Sequence, residues 1–178
     1  MNTSGFSKQT GKLADFTGRM NMKADDVEDL SWLKSMMKQE LDLRPPSLAR
    51  LGNNSIIIRS ESGKPAGHVT LSNRWQGYEI NSLFVDPAHR GEGLSHVLLS
   101  KIEKRRVFCY TRDSRLQTAL VKAGYSRARF PGFIATLNLI LTRTAMVSWM
   151  LLTFDLKRFY HQIRNLSKYK LYMKLNTN

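Results

Sequence analysis

The stretch that decides the fold is Glu79-Ile80-Asn81-Ser82-Leu83-Phe84-Val85-Asp86-Pro87-Ala88-His89-Arg90-Gly91-Glu92-Gly93-Leu94-Ser95-His96-Val97-Leu98-Leu99-Ser100-Lys101-Ile102. It reads as strand, turn, glycine loop and helix. Ile80 to Val85 is rich in β-formers and ends at Asp86-Pro87, a turn signal. Leu94, Val97, Leu98 and Ile102 recur at helical spacing and make one apolar face. Between the two lies Arg90-Gly91-Glu92-Gly93-Leu94-Ser95. Glycine there lets the backbone turn sharply and approach a ligand closely. The first N–H groups of a helix have no intrahelical acceptor, so such a loop can cradle phosphate.

The loop is not of the nucleoside-triphosphate type, because it lacks the Gly-Lys-Ser/Thr ending. Its glycine spacing also departs from the dinucleotide fingerprint. Working outward, Ser55 to Ser60 and Ala66 to Ser72 read as a strand pair around the Ser62-Gly63 turn. His68 is expected to be a strand side chain rather than a catalyst. Upstream, Asp25 and Glu28 resemble a capping box, and Val27, Leu30, Leu33, Met37 and Leu41 trace one helical stripe. Pro45-Pro46 stops that helix. Arg19 to Lys23 is a candidate first strand, and residues 1–18 read as a polar leader without a secretory h-region. Downstream, Val107 to Tyr110 is a strand, with Cys109 expected as a buried thiol. A helix capped by Asp113 or Ser114 then runs to Gly124.

Composition narrows the class. The 178 residues suffice for one domain with a sizeable core, and a 42% hydrophobic content fits a globular chain. The single cysteine excludes an internal disulfide and fits a reducing, cytoplasmic setting. The four histidines are not in zinc spacing, and no metal is expected. The net charge is +14, and its distribution is uneven. Residues 1–103 hold 13 basic and 12 acidic residues, whereas residues 104–178 hold 15 basic residues and only Asp113 and Asp155. Such asymmetry points to an anionic partner.

The strand ending Val85-Asp86-Pro87, followed by Arg90-Gly91-Glu92-Gly93-Leu94-Ser95 at a helix start, resembles the coenzyme A loop of the GNAT acetyltransferase superfamily. Lys122-Ala123-Gly124-Tyr125 resembles its second signature, with Asp113 where Asn is usual and Tyr125 where Phe is usual. The resemblance covers roughly residues 19–130. It implies an α/β (α+β) fold, with a mixed central sheet of about six to seven strands flanked by helices. It implies transfer of an acetyl group from acetyl-CoA to an amine, on a protein or a small molecule. Cofactor contacts fall on Phe84, Val85, Arg90, Gly91, Glu92, Gly93, Leu94 and Ser95. Glu79 is the candidate general base. It stands six residues before Val85, so alternation puts the two on one face, and some histone-type members place their base at the matching position. The alternative is a surface glutamate at a strand end. Leu120 stands where many members keep a tyrosine that protonates the leaving thiolate, so Ser114 or an unassisted thiolate must serve.

Beyond Pro131 the resemblance fades. Residues 133–141 and 145–154 are expected to be the family's last two antiparallel strands, turning near Thr142-Arg143-Thr144. A membrane span is disfavoured because Arg143 would sit near its centre. Residues 19–155 form the expected domain, and residues 156–178 a basic amphipathic extension. Lys157, Arg158, Arg164, Lys168, Lys170 and Lys174 are the candidate surface for an anionic macromolecule such as nucleic acid. A second reading follows from that surface. The chain would then be a nucleic-acid-associated protein that modifies a base or a bound acceptor, or a coenzyme A-binding module without turnover.

Overall fold

A computed structural model describes residues 27–176. The candidate strand at 19–23 and the leader lie outside the described residues. Helix α1, Val27–Gln39, carries Glu28 and Asp29 in its first turn and Lys38 in its last. Both placements favour the helix dipole. Its inward stripe is Asp29, Leu33 and Met37. Val27 is exposed, and Leu41 falls beyond the helix end. Strands β1 (Ser55–Arg59), β2 (Pro65–Asn73) and β3 (Tyr78–Val85) form an antiparallel meander. Helix α2, Leu94–Ser100, then crosses over to β4, Arg106–Thr111, which lies parallel to β3. Helix α3 (Ser114–Lys122) and the short strand β5 (Ser126–Ala128) follow.

The sheet has six strands in the order β1-β2-β3-β4-β6-β5. Its main core lies under α2 and α3, and includes Val69, Ile80, Leu98, Val107, Leu120 and Tyr125. On the other face α1 packs through Leu33 and Met37 on Phe84. Asp29 extends this contact by a buried ion pair of 2.5 Å to Arg59.

The chain after Pro131 departs from the expected strands. Residues 133–152 form one helix, α4 (Phe133–Leu152), with the expected turn in its middle. An apolar run without alternation fits a strand or a helix equally well. Here Ala135 and Leu139, one helical turn apart, pack on Phe108 and Leu171, and that contact selects the helix. The hydroxyls of Thr136, Thr142 and Thr153 donate to carbonyls four residues back, so the helix satisfies them internally. The last antiparallel pair exists, but it is made by β5 and by β6, Lys170–Leu175. Strand β6 inserts between β4 and β5, with Tyr172 opposite both Cys109 and Arg127.

Residues 156–178 are therefore not an appendage. Helix α5, Leu156–Arg164, buries Arg158. The Arg158 guanidinium donates to the carbonyls of Met37, Glu40 and Leu43 at 2.7–2.9 Å, which satisfies the open C-terminal end of α1. Lys174 lies over the Tyr125 ring at 5.7 Å. Of the six cations read from the sequence as one phosphate-tracking surface, Arg158 is thus buried and Lys174 is engaged with Tyr125, so the full set is not one open surface.

Candidate active site

The central parallel pair is paired only at Tyr78↔Val107 and Glu79↔Phe108. Beyond these residues the two strands part. A β-bulge marks the point: Ile80 faces Leu71, Ser82 faces Thr70, and Asn81 is the extra residue. A bulge bends its strand and breaks the alternation of faces. Glu79 and Phe84 consequently share one face, while Ile80, Leu83 and Val85 turn to the α2 side. The expectation that Glu79 and Val85 share a face fails for this reason.

At the C-terminal end of β3 the Asp86 carboxylate accepts from the Ala88 N–H at 2.9 Å and from Trp32 Nε1 at 3.3 Å, which pins the turn. Gly91 and Gly93 adopt φ of +92° and +79°, a region that costs a residue with a Cβ about 1–2 kcal/mol. The N–H groups of residues 91–95 donate to no protein acceptor among the described residues. Five consecutive open amides of this kind can hold an anion, and Gly91, Gly93, Leu94 and Ser95 line the adjoining cleft. Arg90 sits beside them, its Nε 3.5 Å from the Val85 carbonyl. The Glu92 carboxylate turns to His89 at 3.3 Å.

Loop and parted strands border one cleft of about 800 Å³. One wall is the backbone of residues 80–85 and the other residues 109–116. It is also lined by Asp42, Arg44, Arg112, Arg143 and Tyr169, none of which sequence reading took for a site residue. Asp42 accepts from Arg112 Nε at 2.8 Å and from the Tyr169 hydroxyl at 3.1 Å. His161 Nε2 stands 2.9 Å from Asp42 Oδ1 and 2.8 Å from Arg112 Nη2. In any one tautomer it can donate to the first or accept from the second. Burial pushes the Asp42 carboxyl up, but the hydrogen bonds from Arg112, His161 and Tyr169 outweigh it and hold the group below its usual value. Burial, with Asp42 beside it, pushes the Tyr169 hydroxyl up to about 12.

Glu79 is buried and does not border the cleft. Arg74 donates to Oε2 through Nε at 2.8 Å and Nη2 at 2.5 Å, and Arg143 donates to Oε1 at 2.6 Å. Each oxygen thus already accepts from a guanidinium, and the buried carboxylate offers no open edge to the cleft. Ser114 lies on the cleft wall at the start of α3. Leu120 is core. Cys109 is 2% exposed, and burial pushes its thiol well above the usual range, which removes it as a nucleophile. His68 is buried against Phe84 at 5.2 Å, with Nε2 2.9 Å from the Thr70 hydroxyl. No group of three potential metal ligands occurs among the described residues.

The distant groups were illegible because no local pattern joins Asp42 to Arg112, His161 and Tyr169. Only the packing of α5 and β6 against the loop after α1 brings them together.

The profile of the Acetyltransferase (GNAT) family matches residues 22–122, and this chain belongs to that family. Among solved structures the chain is similar to Rv2747 from Mycobacterium tuberculosis, described in complex with CoA and NLQ. The TM-score is 0.56 at 15% identity, over 88% of this chain and 98% of that one. A putative acyl-CoA N-acyltransferase from Klebsiella pneumoniae gives a TM-score of 0.42 at 18% identity, over 65% of this chain and 89% of that one. A spermidine N-acetyltransferase from Vibrio cholerae gives 0.37 at 12% identity, over 68% and 76%. Identities this low speak to the fold alone. No curated protein matches the sequence.

Proposed function

We propose that the protein is an N-acetyltransferase that moves the acetyl group of acetyl-CoA directly to an amine. The observation that supports this most is the run of unpaired amides at residues 91–95 beside the parted strands β3 and β4. In this reading the pyrophosphate lies on the amides of Gly91 to Ser95, with Arg90 beside it. The pantetheine arm runs along the open backbone edge of β3 at Phe84 and Val85. The acceptor nitrogen attacks the thioester carbonyl, forming the C–N bond. The C–S bond breaks, and coenzyme A leaves as thiolate. The proton lost by the amine ends on that sulfur through solvent or a cleft hydroxyl. A thiol of pKa about 8.5 needs little help to leave.

An amine of lysine type has a pKa of about 10.4 and must lose a proton before attack. We assign Glu79 to holding Arg74 and Arg143, not to taking that proton, because it is buried in those ion pairs and does not border the cleft. Ser114 and Tyr169 are among the hydroxyl-bearing residues of the cleft wall that could relay it, with Ser82, Ser95, Tyr110 and Thr111.

Calorimetry with acetyl-CoA tests the reading. Micromolar binding is expected, falling about 100-fold or more in Gly93→Asp through backbone strain and a negative charge at the phosphate. A folded protein that binds no acetyl-CoA at hundreds of micromolar would refute it.

A further inference from the structure

A smaller cavity of about 230 Å³ adjoins the cleft, and Arg44, Asn81 and Arg143 border both. Arg74 completes its basic wall, with Ser72 and Thr142 beside it. Three guanidiniums stand here against one carboxylate. Glu79 serves Arg74 and Arg143, and Arg74 spends a further donor on Asn138 at 3.1 Å. Among the described residues Arg44 has no carboxylate partner. Its one contact is a long 3.5 Å approach to the Leu48 carbonyl, and its Nε is buried without any partner. Burial lowers the Arg44 pKa; Glu79 counters this, and Arg74, Arg143 and Arg50 add to it. A partly desolvated cation without a counter-ion favours an anion beside it. The free donors of Arg44 and the half-exposed Arg143 border the cleft near Asn81, where β3 leaves β4.

We propose that Arg44 and Arg143 bind an anionic group on the acceptor, so that the acceptor is an amine that also carries a carboxylate or a phosphate. The inference rests on the acetyltransferase reading for the amine, but the anion subsite stands on its own geometry. Planar guanidiniums suit both oxyanions, through paired N–H donors.

Matched amines separate the outcomes: lysine against cadaverine, tyrosine against tyramine, and O-phosphoethanolamine against ethanolamine. The anionic member should be acetylated with a kcat/KM about 10- to 100-fold above its twin. The first two pairs report on carboxylate, the third on phosphate. Arg44→Gln should erase the preference and leave acetyl-CoA affinity within about twofold. Equal twins, a preference that survives in Arg44→Gln, or no turnover of any anionic twin by acetyl-CoA-bound protein would overturn the proposal. Absence of acetyl-CoA binding would instead strike the acetyltransferase reading. The subsite is then read by melting temperature in glutarate or phosphate against chloride at equal ionic strength. Stabilisation lost in Arg44→Gln supports it, and equal stabilisation of both proteins overturns it.

A separate observation concerns α4. At 100° per residue, Phe133, Ile134, Leu137, Ile140, Leu141, Leu151 and Leu152 fall on one side of the helix, with Thr144, Ala145 and Ser148 completing it. The seven large residues are 42–75% exposed, and the face carries no charge along its length. Arg143, the charge that argued against a membrane, is turned inward to Glu79. Apolar exposure continues through Phe154 into Leu156, Tyr160 and Ile163 of α5, flanked on the same side by Lys157 and Arg164. Among residues 114–176 the only acid is Asp155, which pairs with Arg158. We infer that this face lies in the plane of an anionic lipid bilayer. It does not span the bilayer, because the inward side of α4 is committed to the sheet. Charge selects the occupant: basic flanks meet an acidic headgroup layer, whereas a second copy would set like charges together.

Cosedimentation with phosphatidylcholine vesicles, with and without phosphatidylglycerol, tests this. Binding should require phosphatidylglycerol, shift Trp149 emission to the blue, and weaken at least about tenfold in the double variant Leu137→Glu, Leu141→Glu. Acetyl-CoA affinity should not change in that variant. Failure to bind either vesicle, or a double variant that binds like the parent, overturns it. So does a dimer in ultracentrifugation that the double variant renders monomeric.

Discussion

Residues 78–100 and residues 133–169 line the same cleft but are built by different rules. In the first, the turn and the loop that follow β3 are coded where they happen. Asp86 caps its own turn, and Gly91 and Gly93 supply the positive φ values that open five amides. In the second, nothing local decides between strand and helix. The helix forms because Ala135 and Leu139 meet Phe108 and Leu171, and because Arg143 meets Glu79. A locally coded segment can be read without its surroundings, and a segment shaped by distant partners cannot.

The largest test of this contrast is removal of the chain after Asp155. If that segment were an extension, a folded domain would remain. Because β6 separates β4 from β5, we expect no cooperative thermal transition in far-UV circular dichroism. A sharp transition from the shortened chain would erase the distinction.

Glu79→Gln probes the link between the two regions. It leaves Arg74 and Arg143 without a counter-ion, and breaking a buried pair from one side costs about 3 kcal/mol or more. Urea denaturation should show that loss. An unchanged urea midpoint with a collapsed pH–rate profile would restore Glu79 as the base.

The smallest effect separates the regions by pH. His68, under Phe84, is held to a pKa of about 3 by burial, with Arg44 adding to it. Its unfolded value is about 6.5. Between these values the unfolded chain binds the extra proton, so stability is full above about pH 6.5 and falls as pH drops below it. The slope approaches roughly 1.4 kcal/mol per pH unit. Asp42, which ties His161 and Tyr169 to the loop after α1, works in a lower window. Its pKa is depressed when folded, so its contribution persists above 3.8 and is lost as pH falls through the folded value. Urea midpoints measured from neutral pH down to about 4.5 should therefore decline through His68, and His68→Gln should flatten that decline. A decline that survives in His68→Gln assigns the acid lability elsewhere.

By itself the sequence determined the meander, the central strand, the amide loop and the family. These rest on β-formers, glycines, prolines and helix caps, whose effects act within a few residues. It also carried the basic imbalance of the second half, though not where those charges lie. The bulge at Asn81, which put Glu79 and Val85 on opposite faces, left no local mark in the residue pattern. The fate of residues 133–169 was likewise open, since one apolar run serves a strand, a buried helix or an exposed one. Tertiary structure alone decided that Arg158 caps α1, that β6 completes the sheet, and that Asp42, Arg44, Arg112, Arg143 and Tyr169 all line one cleft. The physical reason is range. Backbone torsions and caps are settled by neighbours in the chain, whereas ion pairs and face-to-face packing are settled by whichever partners the completed fold brings near.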